Sequence, residues 1–305
     1  MSLRATRRLR PFLIPALIGL ATAPALAFDA VPTASGAVLA GTRWSTDYFV
    51  VDGVSAGPTV MIVGGVHGDE IAGARAASDI RCWSIARGRL VILPRVNVPA
   101  LGKGSRLAPD TTHSDLNRNF PRHAGDAPRG ALARALWAAV EATKPDVLLD
   151  LHEGFDFHKQ NRRSVGSSVL FYPSRANEER ARRLTSAVNA GITERNKRFS
   201  LLRPPVTGSL ARSAYERLGV VSMILETTKI QPLHVRVGQH HLMVAQLLHD
   251  LGMLRHKAPA GELLSPDDVP LGCAERHELA KAGSGTGAAP VDATPPEDPT
   301  AQTGQ

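Results

Sequence analysis

Short apolar runs that end in polar, chemically active residues are the feature that most constrains the fold of this 305-residue chain. Residues 60–66, 147–149 and 220–225 form three such runs, and continuous apolar runs are typical of strands buried on both faces of a sheet. Between and around them lie segments with helical spacing of apolar or small residues, namely 69–83, 131–143, 177–197, 209–218 and 237–251. Alternating strands and helices predict an α/β fold, a three-layer α/β/α arrangement with a mixed, mostly parallel central sheet.

Side chains that ligate metals follow the first two runs. His67 and Glu70 stand three residues apart in the glycine-rich segment after residue 63, and His152 follows residues 147–149. Ligands in open α/β sheets gather at the carboxyl ends of strands. Two histidines and a glutamate are the three-ligand set of hydrolytic zinc sites, whose fourth position stays open for water. The pattern predicts one Zn²⁺ per chain held by His67, Glu70 and His152. A plain helix N-terminus would explain Glu70 alone, and His152 favours the metal.

The third run ends in a lone carboxylate, Glu226. A carboxylate against apolar surface has a raised pKa, which suits a general base. We therefore predict that Glu226 is the catalytic base. An ordinary ion pair with Lys229 is the competing interpretation of the same residue.

The chain resembles the zinc carboxypeptidase superfamily in the order of four motifs. These are the HxxE motif, an Asn117-Arg118 pair in the long loop 99–129, the segment Leu149-Asp150-Leu151-His152 and the late glutamate. That superfamily includes the metallocarboxypeptidases and the related succinylglutamate desuccinylase and aspartoacylase deacylases. The resemblance covers roughly residues 40 to 255. It implies a catalytic domain, which we place at residues 28–256.

The resemblance also implies roles for residues of the long loop. Asn117 and Arg118 resemble the clamp that holds the free carboxylate of the substrate, which a guanidinium can bind through two hydrogen bonds. Arg106, upstream of the clamp, is the candidate for polarising the scissile carbonyl. Three other cations compete for that role: Arg95, Lys103 and Arg122.

The substrate class implied by the resemblance is a peptide or an N-acyl amino acid with a free carboxylate. The first hypothesis is an exported zinc carboxypeptidase that acts on peptides, including peptidoglycan stem peptides. The second is a deacylase of N-acyl amino acids like succinylglutamate desuccinylase or aspartoacylase. The third is an inactive module that binds the cell wall.

The N-terminus has the features of a secretory signal. Residues 4–10 contain four arginines, residues 11–23 are apolar, and Ala25-Leu26-Ala27 forms a small-residue cleavage site. We therefore predict a signal peptide at residues 1–27, a periplasmic or secreted location and no stable membrane anchor. An uncleaved membrane anchor is the alternative, and it needs about 20 apolar residues.

The remaining composition bears on partners and on the C-terminus. Cleavage would remove four arginines and no acidic residue, so the formal charge would fall from +8 to +4. A mildly basic chain with 5% aromatic residues gives no support for nucleic-acid binding. We read residues 257–281 as a C-terminal extension and 282–305 as a disordered tail. Cys82 and Cys273 could pair in an oxidising compartment, a question that the sequence leaves open.

Overall fold

The structure of this protein is a computed structural model, and it describes residues 32–109, 111–254 and 261–273. The predicted signal peptide at 1–27 and the predicted tail at 282–305 lie outside the described residues. Of the predicted extension, the structure describes residues 261–273. Within the described part of the chain, no helix combines the length and the apolar composition needed to cross a membrane.

The described residues contain one sheet of eight strands, in the order β1-β2-β4-β3-β5-β8-β6-β7. Four of its seven strand pairs are parallel (β3/β4, β3/β5, β5/β8 and β6/β7) and three are antiparallel. The strands are β1 (Ala34–Val38), β2 (Thr46–Asp52), β3 (Ser55–Gly64), β4 (Arg87–Leu93), β5 (Val147–Gly154), β6 (Ser168–Phe171), β7 (Ser200–Leu202) and β8 (Val221–Thr228).

Helices cover both faces of the sheet. They are α1 (Ile71–Ile80), α2 (Val98–Lys103), α3 (Ala131–Thr143), α4 (Arg175–Ala190), α5 (Leu210–Leu218) and α6 (Leu233–Asp250). Alternate residues of one strand enter different cores, because successive side chains of a strand point to opposite faces. On β3, Val60 and Ile62 pack in the core under α1, α4 and α6, whereas Met61 and Val63 pack under α3 and α5. The predicted three-layer fold with a mixed, mostly parallel sheet is confirmed.

Several element boundaries differ from the sequence-based prediction. The helix predicted at 177–197 ends at Ala190, and Gly191 caps it. The chain then turns and adds the short strand β7, which the sequence analysis did not predict. The loop 99–129 contains the end of α2 and a single 3-10 turn at Leu116–Arg118. Short elements such as these have too few residues to show a clear hydrophobic period.

The described C-terminal segment packs against the helices of one face. Cys273 forms a disulfide with Cys82, with 5.2 Å between their α-carbons. Leu264 is buried and donates its backbone N–H to the side chain of Gln246 on α6 at 2.7 Å. Residues 261–273 are therefore tied to α1 and α6 by a covalent bond and by buried contacts.

Candidate metal centre

Three neighbouring parallel strands deliver the predicted site residues to one edge of the sheet. β3, β5 and β8 are adjacent, and His67 and Glu70 follow β3. His152 and Glu226 lie directly opposite each other in the β5/β8 register. The carboxyl ends of parallel strands meet at the same edge, so this topology brings the four side chains together.

Glycines shape the loop between β3 and α1. Gly65 adopts a φ of +71°, which favours glycine. A β-carbon on Gly68 would overlap the carbonyl oxygen of Ala100 on α2, so only glycine allows this close approach. The loop can therefore fold tightly under His67 and place its ring at the sheet edge.

The predicted ligands converge on the carboxylate of Glu70. His67 Nδ1 lies 2.8 Å from Glu70 Oε1, and His152 Nδ1 lies 2.7 Å from Glu70 Oε2. The ring centroids of the two histidines are 4.8 Å apart. All three side chains are buried, and one ligand atom from each lies within 4.8 Å of the others.

The outer nitrogen of each imidazole faces a carboxylate. His67 Nε2 lies 3.2 Å from Asp115 Oδ1, and His152 Nε2 lies 3.0 Å from Asp150 Oδ2. A carboxylate at Nε2 keeps the proton on that nitrogen and leaves the Nδ1 lone pair available for a metal. Asp115 and Asp150 thus fix the tautomer that both histidines need as ligands.

Glu153 supports the site from the opposite face of the sheet. Its Oε2 accepts a hydrogen bond from the backbone N–H of Ala72 at 2.7 Å, and its Oε1 pairs with Arg236 of α6. This carboxylate satisfies an amide in the first turn of α1, so Glu70 does not have to cap the helix. The backbone N–H of Glu153 donates to Glu70 Oε2 at 3.1 Å. Glu153 therefore anchors α1 and orients a ligand through its main chain.

Charge interactions within the trio shift the pKa values of Glu70 and His152. Burial alone would raise the pKa of Glu70, but His152 and His67 hold it well below its usual range. Burial alone would lower the pKa of His152, but Asp150 and Glu70 raise it well above its usual range. An ionised carboxylate between two imidazoles is a strong cation site, because a metal can replace the proton on His152.

Glu226 is buried beside this trio, and its pKa is shifted upward whereas that of Glu70 is shifted downward. Burial raises its pKa to about 8, and the charges of Glu70 and Asp150 act in the same direction, while His152 and Arg106 oppose them. Its Oε2 has no hydrogen-bond partner among the described residues. Lys229 pairs with Asp69 instead, so Glu226 does not form the ion pair that was its competing interpretation.

Arg106 reaches the same carboxylate as the histidines. Its Nη1 donates to Glu70 Oε1 at 3.0 Å, and its Nη2 lies 3.5 Å from Asp115 Oδ2. The side chain remains 41% exposed, so the guanidinium borders both the buried trio and solvent. Of the four cations considered for polarising a carbonyl, Arg106 is the one that contacts a predicted ligand in the described structure.

Asn117 and Arg118 lie in the 3-10 turn beside the trio. Asn117 is buried, its Oδ1 accepts from the backbone N–H of Leu210 at 2.9 Å, and its Nδ2 lies 3.3 Å from His152 Nε2. Arg118 Nη1 donates to the carbonyl of Asn117 at 2.8 Å. Within the described residues, no carboxylate lies within ion-pair distance of Arg118. The pKa of Asp115 is lowered to about 2. Burial alone would raise this pKa, but His67, Arg106 and Arg118 together lower it.

The residues present fit a zinc ion. The donor set is two imidazole nitrogens and a carboxylate, buried, with both outer nitrogens facing carboxylates. Sequence analysis gave Asp115 no role, although it begins the same segment as Asn117 and Arg118. A carboxylate two residues before the clamp was the available signal, but its contact with His67 depends on how the long loop folds.

Comparison with known proteins shows the family of the chain. Residues 56–246 match the family model of the succinylglutamate desuccinylase/aspartoacylase catalytic domain. The chain is 29% identical over 239 residues to succinylglutamate desuccinylase of Burkholderia cenocepacia, which covers 71% of this chain and 63% of that protein. It is 38% identical over 105 residues to N-alpha-acetyl-L-2,4-diaminobutyric acid deacetylase of Halomonas elongata, covering 32% and 29% of the two chains. The chain thus spans less than two thirds of either relative.

Solved structures share the fold. The cell shape determinant protein Csd4 from Helicobacter pylori superposes with a TM-score of 0.62 at 18% identity, over 79% of this chain and 61% of that one. A succinylglutamate desuccinylase/aspartoacylase from Rhodobacter sphaeroides gives a TM-score of 0.51 at 21% identity, over 79% and 71%. At these identities the likeness concerns the fold alone. The family model covers well over half of the chain and includes every predicted ligand, so this chain belongs to the succinylglutamate desuccinylase/aspartoacylase family.

Proposed function

We propose that this protein is a zinc-dependent hydrolase that cleaves an amide bond next to a terminal carboxylate. The observation that carries the proposal is the buried trio of His67, Glu70 and His152 beside a carboxyl group, Glu226, whose pKa is raised to about 8. When bound, a zinc ion would polarise the scissile carbonyl and the attacking water, and its charge would lower the pKa of Glu226 toward neutrality.

The chain's own residues account for the proton transfers. Glu226 Oε2 has no partner within the described structure, so it can accept a proton from a water molecule. The same oxygen then returns that proton to the nitrogen of the departing amine. The C–N bond breaks and a C–O bond forms, so the products are a carboxylate and a free amine, with the new carboxylate oxygen and the added protons supplied by water. Arg106 can donate to the carbonyl oxygen as negative charge develops there.

Two features of the loop favour a substrate with a free carboxylate. Arg118 lies close enough to Asp115 to influence its pKa, yet no carboxylate of the described chain pairs with its guanidinium. Asn117 is held in place by Leu210, so the backbone beside Arg118 is fixed. A fixed guanidinium without an anionic partner can bind a substrate carboxylate and set which bond reaches Glu226.

The leading substrate proposal is a peptide with a free carboxyl end, including a peptidoglycan stem peptide. This part of the proposal depends on the signal-like residues 1–27, because an exported enzyme would meet the cell wall. The second candidate is an N-acyl amino acid. It is favoured by the family model and by the two relatives, which are named as a desuccinylase and a deacetylase.

A single experiment separates these candidates. The zinc-loaded protein is incubated with purified muropeptides and with a panel of N-acyl amino acids, and the products are identified by mass spectrometry. A Glu226→Gln variant and a chelator-treated sample serve as inactive controls, and Glu216→Gln, which alters a carboxylate paired with Arg212, is the matched active control. Loss of one terminal residue supports the peptidase, and release of an acyl group supports the deacylase. Zinc-loaded protein that hydrolyses neither class would contradict the proposed function.

A further inference from the structure

The loop that joins β5 to β6, residues 155–167, is folded by internal hydrogen bonds. Ser164 Oγ accepts from the backbone N–H of Asp156 at 2.9 Å and donates to the carbonyl of the same residue at 2.7 Å. The backbone N–H of His158 donates to the carbonyl of Gly166 at 2.8 Å. These bonds close the loop on itself, so its backbone is a fixed base for the side chains at its tip.

Arg162 at this tip is oriented by a buried histidine. His158 Nδ1 lies 2.7 Å from the carbonyl oxygen of Ser164, and because a carbonyl can only accept, Nδ1 carries the proton. His158 Nε2 is then an acceptor, and Arg162 Nη1 donates to it at 3.0 Å. The side chain of Arg162 nevertheless stays exposed. An exposed cation with a fixed orientation binds an anion at a lower entropic cost than a mobile one.

Two further cations lie close to Arg162. Lys159 is on the same loop, and Arg198 precedes β7, where its Nε donates to the carbonyl of Ile192 at 2.7 Å. The pKa of Lys159 is lowered, first by burial and then by the charges of Arg198 and Arg162, so the three side chains are neighbours. We call Lys159, Arg162 and Arg198 the basic patch. In the described part of the chain, no member of the basic patch forms an ion pair with an acidic residue.

The acidic residues of the same two segments are engaged elsewhere. Asp156 Oδ1 accepts from the backbone N–H of Phe157 at 2.7 Å, and Glu194 pairs with Lys197 at 2.7 Å. Positive charges that are held together without an opposite charge repel one another, and a ligand that supplies negative charge relieves this repulsion. The basic patch therefore favours an anionic ligand.

The strand registers give the distance from the basic patch to Glu226. Ser168, the first residue of β6, lies opposite Glu226 on β8, and Ser200, the first residue of β7, lies opposite Ser168. Two strand spacings of about 4.8 Å separate Ser200 from Glu226, so the start of β7 lies about 10 Å from Glu226. Because β6 is antiparallel to β8, the starts of β6 and β7 lie at the edge of the sheet where β8 ends. The basic patch is therefore at the same edge as the metal trio.

The substrate clamp, Glu226 and the basic patch follow one another along the strand order. Asn117 of the clamp lies beside His152 on β5, Glu226 is on β8, and the basic patch is at the start of β6 and β7. A substrate whose terminal carboxylate binds Arg118 would extend the part on the carbonyl side of the scissile bond, its acyl side, toward the basic patch. An extended peptide advances about 3.3 Å per residue, so a distance of about 10 Å corresponds to about three residues. A succinyl group spans about 5 Å and is too short.

We propose that the basic patch is a specificity site that binds an acidic side chain of a peptide substrate, about two or three residues from the scissile bond on its acyl side. The proposal rests on the proposed function for the position of that bond. The substrate carboxylate would form charge-assisted hydrogen bonds with Arg162 and an ion pair with Lys159. A site of this kind favours the peptidase over the deacylase, because an N-acyl amino acid has no group that reaches it.

A pair of peptides tests the proposal by binding alone. Acetyl-Glu-Ala-Ala-Ala and acetyl-Gln-Ala-Ala-Ala differ in one charge, and acetylation removes the positive charge of their amino ends. Each is titrated by calorimetry into zinc-loaded Glu226→Gln protein, which should bind a peptide without cleaving it. The titrations are repeated after a second substitution. Arg162→Gln and Lys159→Gln each remove a cation of the basic patch, and Arg118→Gln alters the clamp. Arg175→Gln is the matched control, because it removes a positive charge at the opposite edge of the sheet, where α4 follows β6.

We expect the glutamate peptide to bind Glu226→Gln protein about tenfold more tightly than the glutamine peptide. Arg162→Gln and Lys159→Gln should each reduce this ratio to about twofold or less, and Arg175→Gln should leave it unchanged. Arg118→Gln should weaken both peptides alike and preserve the ratio. Equal binding of the two peptides, failure of both to bind, or a ratio that neither Arg162→Gln nor Lys159→Gln reduces would overturn the proposal.

The outcome is distinguishable from failure of the proposed function. If the wild type hydrolyses peptides but binds the glutamate and glutamine peptides equally, the specificity site is wrong and the hydrolase function stands. If the ratio is about tenfold and depends on Arg162 while no substrate class is hydrolysed, the basic patch binds acidic peptides as proposed and the hydrolase function is wrong.

Discussion

Asp150 Oδ2 lies 3.0 Å from Nε2 of His152. Both residues belong to β5, and because they are two positions apart their side chains lie on the same face of the sheet. Asp150 is completely buried, and apart from this approach to His152 neither of its oxygens has a hydrogen-bond partner among the described residues. A buried carboxylate with a single imidazole neighbour is costly unless it serves the site. Its position keeps Nδ1 of His152 directed at Glu70 and free of a proton when a metal is bound.

We expect Asp150→Asn to weaken zinc binding by roughly 10- to 100-fold, the usual cost of losing a carboxylate behind a histidine ligand. Zinc affinity is measured by competition with a chromophoric chelator. Asp52→Asn is the matched control, because Asp52 pairs with Arg89 at the exposed end of β2. Unchanged zinc affinity in Asp150→Asn, with a folded protein, would show that Asp150 does not orient the ligand.

Zinc uptake should release a proton near neutral pH. The pKa of His152 is well above its usual range in the metal-free protein, because Asp150 and Glu70 outweigh the effect of burial. His152 is therefore protonated at pH 7, and a metal must displace that proton. Below the folded pKa, apparent zinc affinity should rise by about tenfold per pH unit.

Calorimetric titration of zinc in buffers with different ionisation enthalpies measures the number of protons released. About one to two protons per zinc are expected at pH 7, one from His152 and a fraction from Glu226, whose pKa of about 8 the zinc charge would lower. A value near zero would mean that His152 is neutral before the metal binds.

Glu226 should make the metal-free protein less stable at high pH. Its pKa is raised from 4.5 to about 8 in the folded state, mainly by burial. The unfolded chain then binds fewer protons than the folded chain between these values, so the stability that Glu226 contributes is fully present below pH 4.5 and is lost as the pH rises through about 8. Glu226→Gln removes this titration.

Denaturant unfolding of the metal-free wild type and of Glu226→Gln at pH 5 and pH 8.5 tests this expectation. The variant should gain stability relative to the wild type by a few kcal/mol on going from the lower to the higher pH. A difference between the two proteins that does not change with pH would show that Glu226 titrates normally.

Substitution of Arg118 should affect substrate binding more than the chemical step. We expect Arg118→Ala to lower kcat/KM by about 10- to 100-fold, chiefly through KM, with the hydrolysed compound identified as above. Arg118→Lys should restore little, because an ammonium cannot form two parallel hydrogen bonds to a carboxylate. Arg134→Ala on the exposed side of α3 is the control, and an equal loss in this variant would refute a specific role for Arg118.

The disulfide should stabilise the domain without affecting the metal site. Cys82 and Cys273 are 191 residues apart in sequence, and crosslinks of long loops contribute about 2–5 kcal/mol. A Cys82→Ser/Cys273→Ser variant should lose stability of that order in denaturant unfolding. Zinc affinity should remain unchanged, because Cys82 follows the C-terminal end of α1 whereas Glu70 precedes its N-terminal end.

Sequence alone predicted, for a physical reason, the three residues that the structure brings together as a possible metal site. His67 and Glu70 follow β3, and His152 lies near the end of β5, where the apolar run stops although the strand continues to Gly154. Glu226 was predicted in the same way. The predicted helix at 131–143 coincides with α3, whose apolar residues follow a clear helical period.

Other features could not be read from the sequence. Asp115 lies in a loop without hydrophobic periodicity, and its contact with His67 spans 48 residues. Glu153 stands next to His152 in the chain but faces the other side of the sheet, where it binds the first turn of α1. The adjacent residues His152 and Glu153 thus face opposite sides of the sheet and make different contacts, because of the two-residue period of the strand.

The sequence by itself determined which residues stand at the carboxyl ends of strands, because burial requires apolar runs and those runs end at polar residues. The tertiary structure decided that β3, β5 and β8 are neighbours, that His152 and Glu226 share a register position, and that Arg106 turns toward Glu70. Strand order and loop conformation depend on contacts between residues far apart in the chain, and these contacts cannot be predicted from local sequence patterns.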